Sequence, residues 1–442
     1  MKKLLLSVVL LSGGAAFAQS WVEQNTGFFA ESRGIGEIQI VDANTVWALA
    51  YDGSGANENV QEFTKTTDGG ITWTPGTIDV GDPNLEINNI MPVSADVAFV
   101  STVDPNAGLG AVYQTLDGGL TWFNPVPQAF QSATSFCNWV HFFDENTGVA
   151  IGDPIAGNQF EHWRTTDGGA SWELVSTPTA LSGEWGYNGG NVAVGNTMWA
   201  PTNKGKILRT SDAGATWVKL NSPISDFGAA AINGRLLFSD ANTGMLLATT
   251  NSGATYVVYR TFDGGSTWSA ATPFTGGFNR ILTYIPGTTT IVATGISATP
   301  PAIPGSAYSN DNGETWTTID SGEQRGVTDF LDGSTGWAAG FNVNETTGGI
   351  FKLDGSLSTN EQIIYGKLKA YPNPTNGILT IAGDAQITEV VLFDLLGKQV
   401  LSQEFTAVNQ AEVSLSSLQT GAYIARIKDA AGNMQTIQVT KK

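Results

Sequence analysis

The sequence predicts an all-β protein: a seven-bladed β-propeller, closed by its N-terminal strand, followed by a small C-terminal β-sandwich. Two observations lead to this prediction. A short motif recurs six times at nearly constant spacing, and the segments between its copies are short, rich in β-branched and aromatic residues, and bounded by Gly, Asn, Asp or Pro. Evenly spaced short strands with such turns are typical of propellers and sandwiches. The 53 Gly among 442 residues suit a fold with many tight turns.

The recurring motif is eight residues long, with Asp at its third position and Trp at its last. The Asp positions are Asp68, Asp117, Asp167, Asp212, Asp263 and Asp311, and the Trp positions are Trp73, Trp122, Trp172, Trp217, Trp268 and Trp316. Successive Asp residues lie 45 to 51 residues apart, which matches one four-stranded blade. An apolar second-strand segment recurs seven times, from residues 46–49 to residues 336–339, so we expect seven blades.

The seventh blade has no complete motif of its own. Residues 349–355 resemble a third strand and the start of a motif, while residues 20–23 resemble the end of one. We therefore expect the N-terminal strand to complete the last blade, which leaves no sheet edge unpaired. Residues 19–355 form the predicted propeller.

The sixfold use of the motif favours a structural role, since an active site needs only one copy. In Asp-Gly-Gly turns the carboxylate can accept hydrogen bonds from backbone N–H groups, and the Trp can cover the apolar gap between neighbouring strands. These residues resemble the Asp-box (BNR) repeats of sialidases, related glycosidases, sortilin-type receptors and photosystem II assembly-factor-like propellers. The resemblance covers about residues 20–358 and implies a propeller whose boxes lie away from the working face.

The N-terminal residues 1–18 are typical of a signal peptide, with Lys2 and Lys3, an apolar run over residues 4–11, and Ala16-Phe17-Ala18 as the cleavage site. The run is too short for a stable anchor, and no other membrane span is predicted in the mature chain. A net charge of -19 disfavours nucleic acid and anionic membrane surfaces as partners. The single Cys137 lies in an apolar segment and is expected to be a buried, inert thiol.

A different pattern follows a polar linker over residues 356–366. In residues 367–442 short strands alternate with Gly and Asn turns, which favours a small β-sandwich. The YPNP-x-x-G segment from Tyr371, the F-D-x-x-G-K segment from Phe393 and the L-x-x-G-x-Y segment from Leu418 resemble the type A C-terminal sorting domain of the type IX (Por) secretion system. The resemblance implies recognition by the type IX machinery and a location outside the cell or on the outer-membrane surface.

Three arginines are candidates for an anion-binding clamp. By resemblance a sialidase uses three arginines, a Tyr–Glu pair and an Asp, but its Arg-Ile-Pro segment is replaced here by Arg33-Gly34-Ile35. Arg33, Arg280 and Arg325 precede the first strands of blades one, six and seven, which are neighbours in a closed ring. They can converge on a carboxylate or sulfate; solvated loop arginines are the alternative interpretation.

The corresponding segments of blades three and four carry candidate sugar-binding residues, namely Trp139, His141, Trp185 and Tyr187. In the alternative interpretation Trp139 and Trp185 fill the inner core. Glu184 is a candidate acid or base, although the sequence assigns no partner carboxylate.

No metal site or cofactor is predicted, because His141 and His162 are too few for a His-based zinc site. Calcium in the acidic loop of residues 52–59 is a weaker alternative to a solvated turn, since the loop lacks the full set of oxygen ligands. Three functions stay open: a binding propeller for a glycan or protein ligand, a sialidase-like or other glycoside hydrolase, and a structural component of a surface or biofilm. The first is favoured, because no full catalytic set is present.

Overall fold

The computed structural model describes residues 19–106, 109–132, 135–156, 158–250, 255–276, 278, 281–296, 303–357, 368–393, 399–430 and 434–442. The regular elements in these ranges are all β-strands. The chain divides into two compact units, an N-terminal unit of Met1–Leu357 and a C-terminal unit of Ser358–Lys442. The proposed signal peptide and Arg280 lie outside the described residues, as does most of the linker.

The N-terminal unit consists of antiparallel sheets of the propeller type, which follow one another along the chain. Its first strand is β1 (Ser20–Asn25), and sheet 1 comprises β2 (Arg33–Ile40), β3 (Val46–Asp52), β4 (Glu62–Thr66) and β5 (Thr74–Thr77). Sheet 2 comprises β6 (Glu86–Pro92), β7 (Ala98–Val103) and β8 (Gly110–Thr115). Sheet 3 comprises β9 (Cys137–Phe142), β10 (Gly148–Ile155), β11 (Gln159–Thr165) and β12 (Glu173–Leu174).

The remaining sheets repeat this arrangement. Sheet 4 comprises β13 (Val192–Val194), β14 (Thr197–Pro201), β15 (Lys206–Thr210) and β16 (Val218–Asn221). Sheet 5 comprises β17 (Ile232–Phe238), β18 (Gly244–Thr250), β19 (Thr255–Thr261) and β20 (Thr272–Pro273). Sheet 6 comprises β21 (Ile281–Tyr284), β22 (Ile291–Gly295), β23 (Gly305–Ser309) and β24 (Thr317–Ser321), and sheet 7 comprises β25 (Thr328–Phe330), β26 (Gly336–Asn344) and β27 (Thr347–Asp354). A pairing of Gly34 in β2 with Phe341 in β26 joins sheets 1 and 7. The prediction of an all-β, propeller-type fold is confirmed.

The first strand β1 pairs antiparallel with β27, from Ser20 opposite Asp354 to Asn25 opposite Gly349. Its Gln24 side chain joins the two ends of the unit, since Gln24 Oε1 accepts hydrogen bonds from Trp73 Nε1 at 3.0 Å and Trp337 Nε1 at 3.1 Å. Trp73 belongs to the first box and Trp337 to sheet 7. The start of the chain therefore lies between its first and last sheets.

The core lies between neighbouring sheets, because the second strands are buried on both faces. In β3 five consecutive residues are buried, as expected for a strand packed on both sides. The ring of the box Trp172 packs edge-to-face against Phe99 of sheet 2, with ring centres 6.4 Å apart, and against Phe142 of its own sheet 3, with ring centres 6.0 Å apart. The box tryptophan thus fills a gap between sheets rather than only a gap between strands.

Polar side chains of the first strands join successive sheets near the centre of the unit. Glu37 accepts a hydrogen bond from Ile90 N (2.9 Å), which links sheet 1 to sheet 2. Asp329 accepts one from Ile40 N (3.0 Å), which links sheet 7 to sheet 1. Burial raises the pKa of Glu37 to about 7 and that of Asp329 to about 6. These carboxyl groups lie on the first strands and are partly buried, and burial disfavours the charged form of a carboxyl group.

The C-terminal unit contains one hydrogen-bonded sheet of β28 (Lys369–Tyr371), β29 (Ile378–Phe393), β30 (Gln399–Ser414), β31 (Gly421–Asp429) and β32 (Met434–Lys441). The long strand β29 pairs with β30 on one side, and with β28 and β31 in turn on the other. Its own core includes Leu379, Val390, Val413 and Ile427, each fully buried. Among the described residues, no helix has the length and apolarity that a membrane crossing requires.

Candidate functional site

The six Asp boxes share one hydrogen-bond pattern, which the box of sheet 1 illustrates. Asp68 Oδ1 accepts from Thr66 Oγ1 (2.8 Å) and Thr72 N (2.9 Å), and its Oδ2 accepts from Thr72 Oγ1 (2.6 Å). Gly69 and Gly70 follow with φ of 72° and 86°, which glycine adopts readily. The hydrogen bonds, led by that of the Thr72 hydroxyl, lower the pKa of Asp68 to about 2. The same bonds surround Asp117, Asp167, Asp212, Asp263 and Asp311.

The boxes define one face of the N-terminal unit, because each box turn contacts the turn between the first two strands of its sheet. Gly69 N, for example, donates to Asn44 O over 3.0 Å, and Gly168 N donates to Asn146 O over 2.9 Å. The loops between second and third strands lie at the opposite ends of the same strands. We call these the box face and the loop face.

A cleft of about 1040 Å³ opens on the loop face where sheets 2 and 3 meet the link from β12 to β13. Ligand sites for drug-sized molecules occupy roughly 300–1,000 Å³, so the cleft has the size of a ligand site. Sheet 2 contributes Glu86, Val103 and Pro105; sheet 3 and its flanking residues contribute Phe136, Asn138, Asp153, Pro154 and Asn158; the link contributes Leu181 and residues 183–189.

The link carries the aromatic wall of the cleft, and its backbone is fixed at several points. Trp185 N donates to Asn203 Oδ1 over 2.9 Å. Tyr187 Oη donates to Asp226 Oδ1 over 2.6 Å; burial and this bond raise the pKa of the Tyr187 hydroxyl. Asn188 Nδ2 donates a hydrogen bond of 2.9 Å to Asn88 Oδ1 on β6 of sheet 2. The link is therefore held by contacts to sheet 2, to the turn between β14 and β15, and to the segment between β16 and β17.

Trp185 is the exposed aromatic of this wall, with 47% of its surface accessible to solvent. A large apolar ring is normally covered, so a half-exposed indole at the rim of a cleft is a typical stacking platform. Lys204 Nζ lies 5.9 Å from the centre of its ring. Of the two predicted alternatives for this residue, the structure supports exposure rather than core filling.

Asp153 is a cleft residue that the sequence analysis missed. Its Oδ1 accepts hydrogen bonds from Asn138 Nδ2 and Gly186 N, both over 2.9 Å, so it ties sheet 3 to the link. A Cβ at residue 186 would lie 2.8 Å from Asn138 Nδ2, so a larger residue there would displace this amide. Burial raises the pKa of Asp153 to about 6. The available signal was an acidic residue next to Pro154, near the end of the second strand β10.

Glu184 does not have the surroundings of a catalytic acid or base. Its side chain is fully buried and pairs with Lys219 Nζ at 2.6 Å. Its Oε2 also accepts from Leu181 N at 2.7 Å, and its Oε1 accepts from Thr202 Oγ1 at 2.9 Å. Both oxygens are thus used to hold the link in place, and we assign Glu184 a positioning role.

The arginine clamp is not supported at the two positions that can be described. Arg33 pairs with Glu58 at 3.0 Å and Glu62 at 3.2 Å, both within sheet 1 and its loop. Arg325 is 5% exposed, pairs with Asp320 at 2.7 Å and lies 3.9 Å from the centre of the Phe351 ring. Each guanidinium is thus compensated locally rather than presented to a shared anion; Arg280 lies outside the described residues.

Trp139 and His141 lie apart from the 1040 Å³ cleft, on β9. Trp139 is 9% exposed and packs in the core between sheets 3 and 4, stacked on His141 with ring centres 5.1 Å apart. Both line a second cavity of about 470 Å³ among the first strands, which also includes Gln39, Asn191 and Asp329. Burial lowers the pKa of His141 to about 4, so the imidazole is neutral at physiological pH. Of the four predicted sugar-binding residues, Trp185 and Tyr187 therefore line the 1040 Å³ cleft, whereas Trp139 and His141 line the second cavity.

The acidic loop at residues 52–59 uses its leading carboxylate internally. Asp52 Oδ1 accepts from Ser54 N (2.9 Å) and Oδ2 from Glu58 N (3.1 Å). Hydrogen bonds from Ser54 are the main cause that lowers the pKa of Asp52 to about 2. Within the described part of the chain, no group of three or more His, Cys, Asp or Glu side chains has a metal-binding arrangement. Cys137 is buried, and burial raises the pKa of its thiol.

Residues 369–441 match the family of the secretion system C-terminal sorting domain. The C-terminal unit is a secretion system C-terminal sorting domain. It directs export through the type IX system to the outside of the cell or its surface, so the predictions of the sorting domain and of the location are confirmed.

The propeller sheets are similar to several known proteins. A curated xyloglucanase from a Paenibacillus species is 23% identical over 203 residues; the match spans 36% of this chain and only 19% of that protein. A solved structure of YCF48 bound to D1 peptide is 14% identical, covers 77% of this chain and 97% of its own, and has a TM-score of 0.49. The GH74 xyloglucanase from Xanthomonas campestris is 14% identical, with 94% and 70% coverage and a TM-score of 0.32.

Proposed function

We propose that the N-terminal unit is a non-catalytic carbohydrate-binding module of an exported protein. The observation that carries the proposal is the cleft: half-exposed Trp185 lies on a hydrogen-bonded link and lines the cleft together with the exposed amides Asn158 and Asn188. Aromatic faces stack on sugar rings, and amides donate and accept hydrogen bonds as hydroxyl groups do. A rigid platform also lowers the entropy lost on binding. The partial likeness to a xyloglucanase agrees with a carbohydrate ligand.

The architecture that we propose is a closed ring of seven blades, with sheets 1 to 7 as the blades and β1 as the fourth strand of the last. Its support is the pairing of β1 with β27 and the two hydrogen bonds at Gln24. The Asp boxes then stabilise the ring on the box face. Residues 1–18 are proposed as the cleaved signal peptide, and the C-terminal sheet as a sandwich.

A binding role is favoured over hydrolysis because of the state of Glu184. A glycosidase needs a carboxyl acid and a second carboxylate at the bond that breaks. Here Glu184 is buried and paired with Lys219, and Asp153 holds Asn138 and Gly186. Both oxygens of Glu184 are therefore occupied, and Oδ1 of Asp153 already accepts two hydrogen bonds.

The test is a glycan array probed with the mature chain, residues 19–442, beside Trp185→Ala. We expect binding that the substitution reduces about tenfold or more, as for an aromatic hot spot. Phe262→Ala is the matched control, since that ring is 69% exposed and lies in the box of sheet 5; it should bind as the unchanged chain does. Equal binding by both variants would place the site elsewhere. Mass spectrometry of a bound oligosaccharide should detect no hydrolysis products.

A further inference from the structure

We propose that the cleft selects an uncharged oligosaccharide and excludes acidic glycans. This inference rests on the proposed carbohydrate-binding function and adds the ligand class. It departs from the expectation of an arginine clamp, and it follows from the way in which each charge at the cleft is already compensated.

Among the residues described around the cleft, no Lys or Arg belongs to the lining. The undescribed residues in the two loops of the lining are Ala107, Gly108 and Gly157, which carry no charge. A carboxylate or sulfate that enters a cleft loses hydration and needs a cation or several N–H donors in return. Outside the lining, Lys204 Nζ lies 5.9 Å from the centre of the Trp185 ring, and Lys219 is already paired with Glu184. The cleft therefore offers an acidic sugar little compensation.

The carboxylates of the lining are not free counter-ions either. Glu184 is neutralised by Lys219 at 2.6 Å. Asp153 Oδ1 already accepts from Asn138 Nδ2 and Gly186 N. This leaves Glu86, at the exposed edge on sheet 2, as the one lining carboxylate without a structural role in the link. A cationic peptide would thus find a single exposed acid, too little to offset the ordering of its side chains.

The other polar side chains of the lining, which can recognise a ligand, are uncharged. Asn158 and Asn188 are exposed beside the aromatic wall of Trp185 and Tyr187, whereas Asn138 is buried and donates to Asp153. Each amide carries a donor and an acceptor on adjacent atoms, which matches the paired hydroxyl groups of a sugar. The volume of about 1040 Å³ lies at the upper limit of drug-sized sites, so a chain of several sugars fits better than one ring.

The experiment measures affinity by isothermal titration calorimetry with the chain of residues 19–442. The neutral probes are hexasaccharides of β-linked glucose, mannose and xylose; the acidic probes are hexagalacturonate, 3′-sialyllactose and a heparin hexasaccharide; hexalysine represents cationic peptides. We expect at least one neutral probe to bind, with a Kd that changes less than about twofold between 0.05 and 0.5 M NaCl, since exposed ion pairs alone are screened in this range. Trp185→Ala should weaken this binding about tenfold or more, while Phe262→Ala should not.

The outcomes separate the inference from the function on which it rests. Binding of an acidic probe that depends on Trp185 and weakens with salt overturns the uncharged class but keeps the carbohydrate function. Binding of hexalysine that depends on Trp185 overturns both. If no saccharide of the panel binds, or if Trp185→Ala binds as well as the unchanged chain, both proposals are also overturned.

Discussion

Gln24 offers a sharp test of how the N-terminal unit is held together. Its side-chain oxygen accepts from two indole N–H groups, those of Trp73 and Trp337. Trp337 is 0% exposed and Trp73 is 8% exposed, so water has little access to either ring. Substitution of Gln24 therefore removes the acceptor from both donors at once, and it does so where the first and last sheets of the chain meet.

The expected loss follows from the cost of an unsatisfied buried donor. One such group costs about 1–3 kcal/mol, so Gln24→Ala, which leaves two of them, should lower the free energy of unfolding by about 2–6 kcal/mol. Unfolding entropy is about 2.1 cal/mol/K per residue, or about 0.7 kcal/mol/K for a unit of roughly 340 residues. The melting temperature of the N-terminal unit should then fall by about 3–9 °C.

Scanning calorimetry of the mature chain measures this shift, and two further variants isolate its cause. Gln24→Met keeps the length of the side chain but has no comparable acceptor, so it should destabilise nearly as much as Gln24→Ala. Gln19→Ala is the control, because its hydrogen bond to Ser356 O is exposed and such changes stay within about 0.5 kcal/mol. A Gln24→Met protein as stable as the native chain would refute the role of the two indole bonds.

Three other predictions concern buried groups. Burial raises the pKa of Glu37 to about 7, so the folded state holds this proton more tightly than the unfolded state, and the contribution of Glu37 to the free energy of unfolding should fall by up to about 3 kcal/mol as pH rises from about 4.5 to about 7, at about 1.36 kcal/mol for each pH unit. Denaturant titrations at several pH values should show that the native chain loses stability relative to Glu37→Gln over this range; a constant difference between the two proteins would contradict the assignment. Lys219→Ala should lower the free energy of unfolding by about 3–5 kcal/mol, because it leaves the buried Glu184 unpaired. In the same denaturant titrations, the double variant with Glu184→Gln should recover part of that loss, and no recovery would refute the pairing. Trp172→Ala should lower the free energy of unfolding by about 3–5 kcal/mol, because the Trp172 ring fills the gap between sheets 2 and 3. If thermal unfolding showed a loss below about 1 kcal/mol, the gap would close without this ring.

The strands could be predicted because their signals are local and repeated. Each box combines a turn, a pair of hydroxyl donors and a Trp within eight residues, so Asp68 and its five counterparts can be located without knowledge of any distant contact. The partner of each Trp could not be predicted in the same way. Trp172 packs against Phe99, and this pairing depends on how far one sheet is rotated against the next.

The site was predictable only in part, because the charges at the cleft are compensated over long separations. Trp185 and Tyr187 stood out as aromatics in a polar link. Glu184 looked equally functional in sequence, since its partner Lys219 lies on the last strand of the following sheet. Arg33 is a similar case, because Glu58 and Glu62 approach it only after the chain has turned back along sheet 1. Spacing along a chain does not show which charges will pair.

The two faces of the N-terminal unit differ in how freely they can change. On the box face each turn is fixed by the same hydrogen bonds to an Asp such as Asp68, so a change in length breaks a repeated structure. On the loop face the links between sheets carry few ladder bonds and vary: residues 78–85 join β5 to β6, whereas residues 175–191 join β12 to β13. Loops on a rigid scaffold tolerate such variation. The longer link, residues 175–191, also forms the aromatic wall of the cleft. A new ligand preference can therefore arise there without any change in the box turns that stabilise the fold.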